Sequence, residues 1–263
     1  MRIDLHNHTT LCNHASGTSE EYIIRAIELG IDVYGFSDHA PMNYDPKYRM
    51  DISSKPIYEK EILDLKDKYK NDIEILLAYE VDYLDGYLLD EIINAKVDYL
   101  IGSVHFLKNK NDMWGFDNPE FIGVYESKDI DTIWSEYFDA IEAMAKTGLF
   151  DIVGHLDLIK VFKFLPKKDI RLLAKNALLA IKKANMVLEI NPAGLRKPIK
   201  ETYPSRTLLE LAYELGINIT FGSDAHAVDQ VGFKYEEVRS LAHEIGYSKC
   251  MTYSNRDSKL VNF

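Results

Sequence analysis

The sequence predicts an α/β fold, a seven-stranded (β/α)7 barrel of the TIM-barrel type, and three observations carry that prediction. About seven short apolar runs of strand length alternate with helical patterns, the order that builds a parallel sheet. No stretch rich in Pro, Gly or Ser divides the chain, so residues 1–263 read as one domain. Almost every apolar run ends in a residue able to ligate a metal. Functional groups on the C-terminal ends of many strands favour a closed barrel, whereas an open doubly wound sheet gathers them at its switch point.

The elements follow in order. Asp4, His6 and His8 alternate along an extended first strand and so share one face. Thr18-Ser19-Glu20-Glu21 caps a helix over Tyr22 to Leu29, which Gly30 stops. Ile31 to Phe36 is a buried strand delivering Ser37-Asp38-His39. The polar, aromatic segment Tyr44 to Ser54 is too long for a tight connection and reads as a loop over a site. A helix from Lys55 to Lys70 leads to the strand Ile73 to Tyr79, which ends at Glu80. Further runs are Tyr99 to Val104 before His105, Ile152 to Gly154 before His155, Val187 to Ile190 before Asn191, and Ile217 to Phe221 before Asp224. Helical patterns fill the gaps at Leu84 to Lys96, Ile130 to Thr147, Lys167 to Ala184, Pro204 to Leu215 and Tyr235 to Ile245.

A formal net charge of −11 argues against broad binding to nucleic acid or anionic membrane, both of which need basic surface. Cys12 and Cys250 form neither a disulfide framework nor a Cys-x-x-Cys clip, which points to the cytoplasm. No apolar stretch has the length of a signal peptide or membrane span.

Of the eight histidines, only His243 falls inside a predicted helix away from a strand end. One histidine after a strand is unremarkable. His6, His8, His14, His39, His105, His155 and His226 together, with Glu80 and Asp224 at equivalent places, exceed what one ion needs and imply two or three. Cys12 reads as a loop spacer beside them, Asp4, Asp38 and Asp157 as carboxylates that could orient an imidazole, and Trp114, Phe116 and Tyr125 as core packing under a long loop.

With these residues in place, the chain resembles the polymerase and histidinol phosphatase (PHP) superfamily, and within it the histidinol-phosphate phosphatases. The likeness runs from Asp4 to His226 through Ser37-Asp38-His39-Ala40-Pro41 and the nine ligand positions. It implies a distorted seven-stranded barrel and ions held by His6, His8, Glu80 and Asp224, by Glu80, His105 and His155, and by His14, His39 and His226. The expected ions are zinc, manganese or iron, and the expected nucleophile is a metal-bridging hydroxide attacking a phosphomonoester.

Asp224 is the candidate for the nucleophile's proton, with His226 or a water as acid for the leaving group and Glu80 as bridge. Arg196 leads the candidate phosphate contacts, followed by Lys160, Lys197 and Arg49. The expected substrate is the small molecule L-histidinol phosphate, in histidine biosynthesis. Phosphotyrosine or a nucleoside phosphate, or a non-catalytic metal-binding barrel, are the competing readings.

Overall fold

Strand and helix alternate along the chain of the computed structural model, which describes residues 1–109 and 112–263. In order they are β1 (Ile3–Asp4), α1 (Ser19–Glu28), β2 (Val33–His39), α2 (Lys55–Lys68), β3 (Glu74–Asp82), α3 (Asp90–Ile93), β4 (Tyr99–Ser103), β5 (Phe106–Asn109) and β6 (Asp112–Gly115). Then come α4 (Gly123–Ser127), α5 (Ile130–Thr147), β7 (Ile152–Val153), α6 (Ile170–Lys183), β8 (Val187–Ile190), α7 (Arg206–Glu214), β9 (Ile219–Phe221), α8 (Tyr235–Ile245), β10 (Lys249–Ser254) and β11 (Asp257–Asn262).

Seven strands pair in parallel in the order β1-β2-β3-β4-β7-β8-β9. Backbone bonds then join the two edges: Leu5 N–H donates to the Phe221 carbonyl at 2.8 Å, Asp224 N–H to His6 at 2.7 Å and His8 N–H to Ala225 at 3.0 Å. The sheet is therefore a barrel, and its C-terminal rim carries the residues that follow each strand. Register places His39 directly beside Glu80.

The floor of the barrel is apolar. Ile3, Val33, Leu76, Tyr99, Ile101, Val187, Ile219 and Phe221 form one buried cluster. Tyr99 reaches across it, its hydroxyl donating to the Leu5 carbonyl at 2.5 Å. Gly35 makes room, because a Cβ there would sit 1.8 Å from the Tyr99 hydroxyl. The larger core lies between the sheet and the helices, where Tyr22, Tyr58, Trp134, Tyr137 and Phe138 are fully enclosed. Trp114, Phe116 and Tyr125 join this core, as the sequence predicts.

Local chemistry explains most helix boundaries. Thr18 and Glu21 form a reciprocal capping box on α1, and Asp129 caps α5, which Gly148 ends at φ 66°. The predicted helix over Leu84 to Lys96 is reduced to the single turn of α3. Tyr87 N–H turns back to the Leu84 carbonyl at 3.0 Å, and Gly86 at φ 83° leaves helical space. Two antiparallel hairpins, β5-β6 and β10-β11, stand where no hairpin is predicted. The second seals the barrel floor, with Thr220 Oγ1 donating to Met251 at 2.8 Å and the Met1 amino group to Asn262 at 2.8 Å. Among the described residues, no helix is long and apolar enough to cross a membrane.

Candidate metal centre

The residues that follow the strands meet at the C-terminal rim around Glu80, whose backbone is fixed between β2 and β4. Its Oε2 lies 3.3 Å from His6 Nε2, 3.7 Å from His8 Nε2 and 2.9 Å from His39 Nδ1. Its Oε1 lies 2.9 Å from His155 Nε2 and 3.7 Å from His105 Nε2. One carboxylate thus faces five imidazoles, from four segments of chain. Asp224 Oδ1 lies 3.3 Å from His8 Nε2 and 3.4 Å from His226 Nδ1.

Potential ligand atoms fall within 4.8 Å of one another in overlapping groups: His6 with Glu80 and His155, His6 with His8 and Asp224, His8 with His39 and Glu80, and His14 with His39 and His226. His6, His8, Glu80 and His155 are buried, His39, His105, Asp224 and His226 are half-buried, and His14 is exposed at the mouth. The structure therefore brings all nine predicted ligand positions to one rim, opening to solvent at His14.

Several of these atoms, including His6 Nε2, His8 Nε2, His226 Nε2 and Glu80 Oε2, are buried without a hydrogen-bond partner. Buried polar atoms are normally paired. Lone pairs converging from imidazole and carboxylate are what a divalent cation takes, so the donor set fits zinc, manganese or iron.

The opposite ring edges are held by carboxylates or backbone. His6 Nδ1 lies 2.7 Å from Glu189 Oε1, His105 Nδ1 2.6 Å from Asp82 Oδ1 and His8 Nδ1 3.4 Å from Asp38 Oδ1. His14 Nδ1 faces the Cys12 carbonyl at 2.8 Å, and His226 Nδ1 faces that of Asp224 at 3.1 Å. Such partners fix tautomer and orientation, leaving Nε2 to the centre. Glu189 does double duty, accepting the His155 backbone N–H at 2.8 Å. Gly222 lets it approach, since a Cβ there would meet Glu189 Oε1 at 2.1 Å and the His6 Cβ at 2.4 Å. His155 and Asp224 both adopt left-handed backbone, at φ 23° and 53°, which is costly for such residues and concentrated at functional positions.

The electrostatics follow from this packing. Burial opposes the charge on Glu80 and Asp224, but the surrounding imidazoles outweigh it and hold both carboxyls well below their usual range. Burial likewise opposes charge on His8, yet Asp224, Asp38 and Glu80 raise its pKa to about 9. His39 is instead lowered to about 4, by desolvation of its ring and by the neighbouring His8. Both carboxyls are thus held anionic by the imidazoles packed around them.

The other predicted residues are placed differently. Arg196 Nη2 donates to the Ser223 and Asp224 carbonyls at 3.1 and 2.9 Å, while its Nη1 is buried without a partner. Lys160 is buried and spends its three donors on Asp157 at 2.9 Å, Glu201 at 3.0 Å and the Thr202 carbonyl at 2.8 Å. Lys197 is exposed. Arg49, expected over the substrate, is buried against Asp82 instead, because a guanidinium out of water needs a carboxylate partner.

Asp4 does not touch His6; it accepts from Ser223 N–H at 2.8 Å and Gly232 N–H at 3.0 Å and so ties β1 to the Asp224 loop. Asp157 holds Lys160 and the Ser205 N–H rather than an imidazole. Cys12 donates its thiol to the Thr9 carbonyl at 3.1 Å, and burial pushes its pKa up, so it stays a neutral filler although Sγ lies within 4.8 Å of His8 and His226 ligand atoms. Sequence reasoning missed Asp82 and Glu189. The signal for Asp82 was present, two residues beyond Glu80 on the same strand face.

Residues 4–193 match the PHP domain family. A protein named "probable histidinol-phosphatase" from Deinococcus radiodurans is 36% identical over 96% of both chains. The histidinol-phosphatase of Bacillus subtilis is 31% identical, with 89% of this chain and 96% of its own covered. The fold also matches a histidinol phosphate phosphatase from Lactococcus lactis, solved with zinc, L-histidinol and phosphate, at a TM-score of 0.80 and 22% identity over 98% of both chains. With the rim geometry and the match over most of its length, the chain belongs to the PHP family and groups there with the histidinol-phosphatases.

Proposed function

We infer that this chain is a metal-dependent phosphomonoesterase that hydrolyses L-histidinol phosphate to L-histidinol and phosphate, a step of histidine biosynthesis. The observation that carries the chemistry is Glu80, a buried carboxylate facing five imidazoles with unpaired nitrogens among them. The substrate rests on kinship with the Deinococcus and Bacillus proteins.

Two or three divalent ions, zinc, manganese or iron, are assigned to three groups: His6, His8, Glu80 and Asp224; Glu80, His105 and His155; His14, His39 and His226. When bound, such ions neutralise phosphoryl oxygens and lower the pKa of water, which a slow phosphomonoester hydrolysis requires. The chain's own groups do the rest. Asp224, anionic and beside His8 and His226, takes the proton of the attacking water as its oxygen bonds to phosphorus and the P–O bond to the leaving alcohol breaks. Arg196 offers Nη1 to a phosphoryl oxygen while its Nη2 stays on the loop carrying Asp224.

His226 donates Nδ1–H to the Asp224 carbonyl, so an imidazole whose Nε2 holds a cation has no proton left for the leaving alkoxide. Water then supplies it. The working unit is the whole barrel, residues 1–263, with a small-molecule partner and no nucleic acid. The buried free thiols Cys12 and Cys250 suit the reducing cytoplasm, where we place the enzyme.

The decisive experiment is phosphate release by purified protein from L-histidinol phosphate, beside phosphotyrosine and nucleoside monophosphates, with bound metal quantified in the same preparation. Strong preference for histidinol phosphate, lost on chelation, is the expected result. Fully metallated protein that ignores it and cleaves another monoester would overturn the substrate, and inactivity on every ester would overturn the enzyme.

A further inference from the structure

The segment after β2 contains one charged side chain that the phosphatase chemistry does not use and that is nevertheless deeply enclosed. Arg49 is only 4% exposed. Its Nη1 forms an ion pair with Asp82 Oδ2, its Nε donates to the Asp45 carbonyl at 2.7 Å, and its guanidinium lies 5.5 Å from the Phe106 ring centroid. Nη1 also approaches Met42 Sδ at 3.5 Å. A guanidinium so surrounded presents no free fork to a phosphate. Taking such a charge out of water costs several kcal/mol unless it is paired, so its partner shows what it is for.

That partner is Asp82, whose other oxygen, Oδ1, meets His105 Nδ1 at 2.6 Å. The contact assigns the ring proton to Nδ1 and turns Nε2 toward Glu80 Oε1, 3.7 Å away. Arg49 and His105 thus grip opposite ends of one carboxylate. Arg49 also fixes its own segment: Asn13 Nδ2 donates to the Arg49 carbonyl at 2.9 Å, one residue from His14, and the ring of neighbouring Tyr48 stands edge-on to His14 at 5.7 Å. One residue touches the supports of a ligand on each side of the rim.

We propose that Arg49 is a positioning residue that, through Asp82, holds His105 ready to bind a metal ion and ties the segment over the mouth to that ion's site. The inference rests on the metal-site reading above and is independent of which monoester is the substrate. Without Arg49, the Asp82 carboxylate is left buried with one partner and can swing away from His105, which frees the ring to turn and misplaces the Nε2 lone pair. Removing a partner of this kind typically weakens metal affinity by about 10–100-fold.

The test compares zinc affinity, by competition with a chromophoric chelator, in unaltered protein and in the Arg49→Met, Arg49→Lys, His105→Ala and Arg49→Met/His105→Ala variants. Arg49→Met should weaken one zinc site by about 10–100-fold, and Arg49→Lys, which keeps a cation on Asp82, should recover part of that loss. The double variant should be no weaker than His105→Ala alone. At saturating zinc, Arg49→Met should keep its KM for the monoester within about twofold. Unchanged zinc affinity in Arg49→Met, additive losses in the double variant, or a raised KM at full metal content would each overturn the proposal. Should Arg49→Met fail to fold, Arg49→Lys on the two His105 backgrounds makes the same comparison. Unaltered protein that takes up no zinc would overturn the metal-site reading itself.

Discussion

At the scale of the residue, the site is a convergence of imidazole and carboxylate ligand atoms, several of them buried without a hydrogen-bond partner. Asp224 is the sharpest test, because it combines an anionic carboxylate with left-handed backbone at the rim. Asp224→Asn should lower kcat by about 100-fold or more, the usual contribution of a positioned proton acceptor. Turnover near that of unaltered protein with full metal content would remove its role. Arg196→Met should raise KM, with kcat/KM falling about 10–100-fold for a lost charge-assisted bond of about 1.5–3 kcal/mol. An unchanged KM in steady-state assays would show that the unpaired Nη1 does not meet phosphate. Most ligands were legible because they lie at or just beyond the end of an apolar run, with His14 in the loop that follows the first strand as the exception. Of the carboxylates that orient the rings, Asp38 was legible beside His39 and Asp82 lay on the strand face of Glu80, whereas Glu189 was not, since it meets His6 across 183 residues of chain.

At the scale of the element, short strands are sufficient because the barrel edge is closed by backbone bonds and its floor is locked by side chains. Tyr99 is the clearest lock. Tyr99→Phe removes the donor to the Leu5 carbonyl and should cost about 1–3 kcal/mol, seen as a lower midpoint in urea unfolding with an unchanged slope. Gly35→Ala should cost more, because the added methyl must displace that hydroxyl. An equal midpoint for either variant would contradict the packing described here. Amphipathic helices such as α5 and α8 were readable from their periodicity. The hairpin β10-β11 was not, since its signal is a two-residue turn, Asn255-Arg256 at φ 50° and 71°. Its docking depends on distant acids: Asp98 accepts the Asn255 N–H at 3.1 Å and Asp151 pairs with Arg256 at 2.5 Å.

At the scale of the whole molecule, metal and fold are linked. The ligands come from β1, β2, β3, β4, β7 and β9 or the turns just beyond them, so an ion joins strands from around the ring. Ligand present at about 1,000 times its dissociation constant stabilises the folded state by about 4 kcal/mol per site. Chelation should therefore lower the melting temperature by on the order of 10 °C, and added zinc should restore it. A melting curve indifferent to chelator would show that the folded chain holds no ion tightly. The same linkage sets a practical condition for activity, since variants must be compared at matched metal content.

Local pattern alone determined the class of fold and the gathering of metal-ligating residues at its rim, while the phosphatase reading came from the resemblance to the PHP superfamily. The alternation of runs is a property of neighbouring residues, and a barrel must present whatever follows each strand on one face. Only tertiary structure decided which carboxylate steadies which imidazole, that Arg49 turns inward to Asp82, and that Lys160 is consumed by Asp157 and Glu201. Those outcomes depend on which charges the closed barrel buries together, and a buried charge takes the partner that geometry brings within reach, however far apart the two lie along the chain.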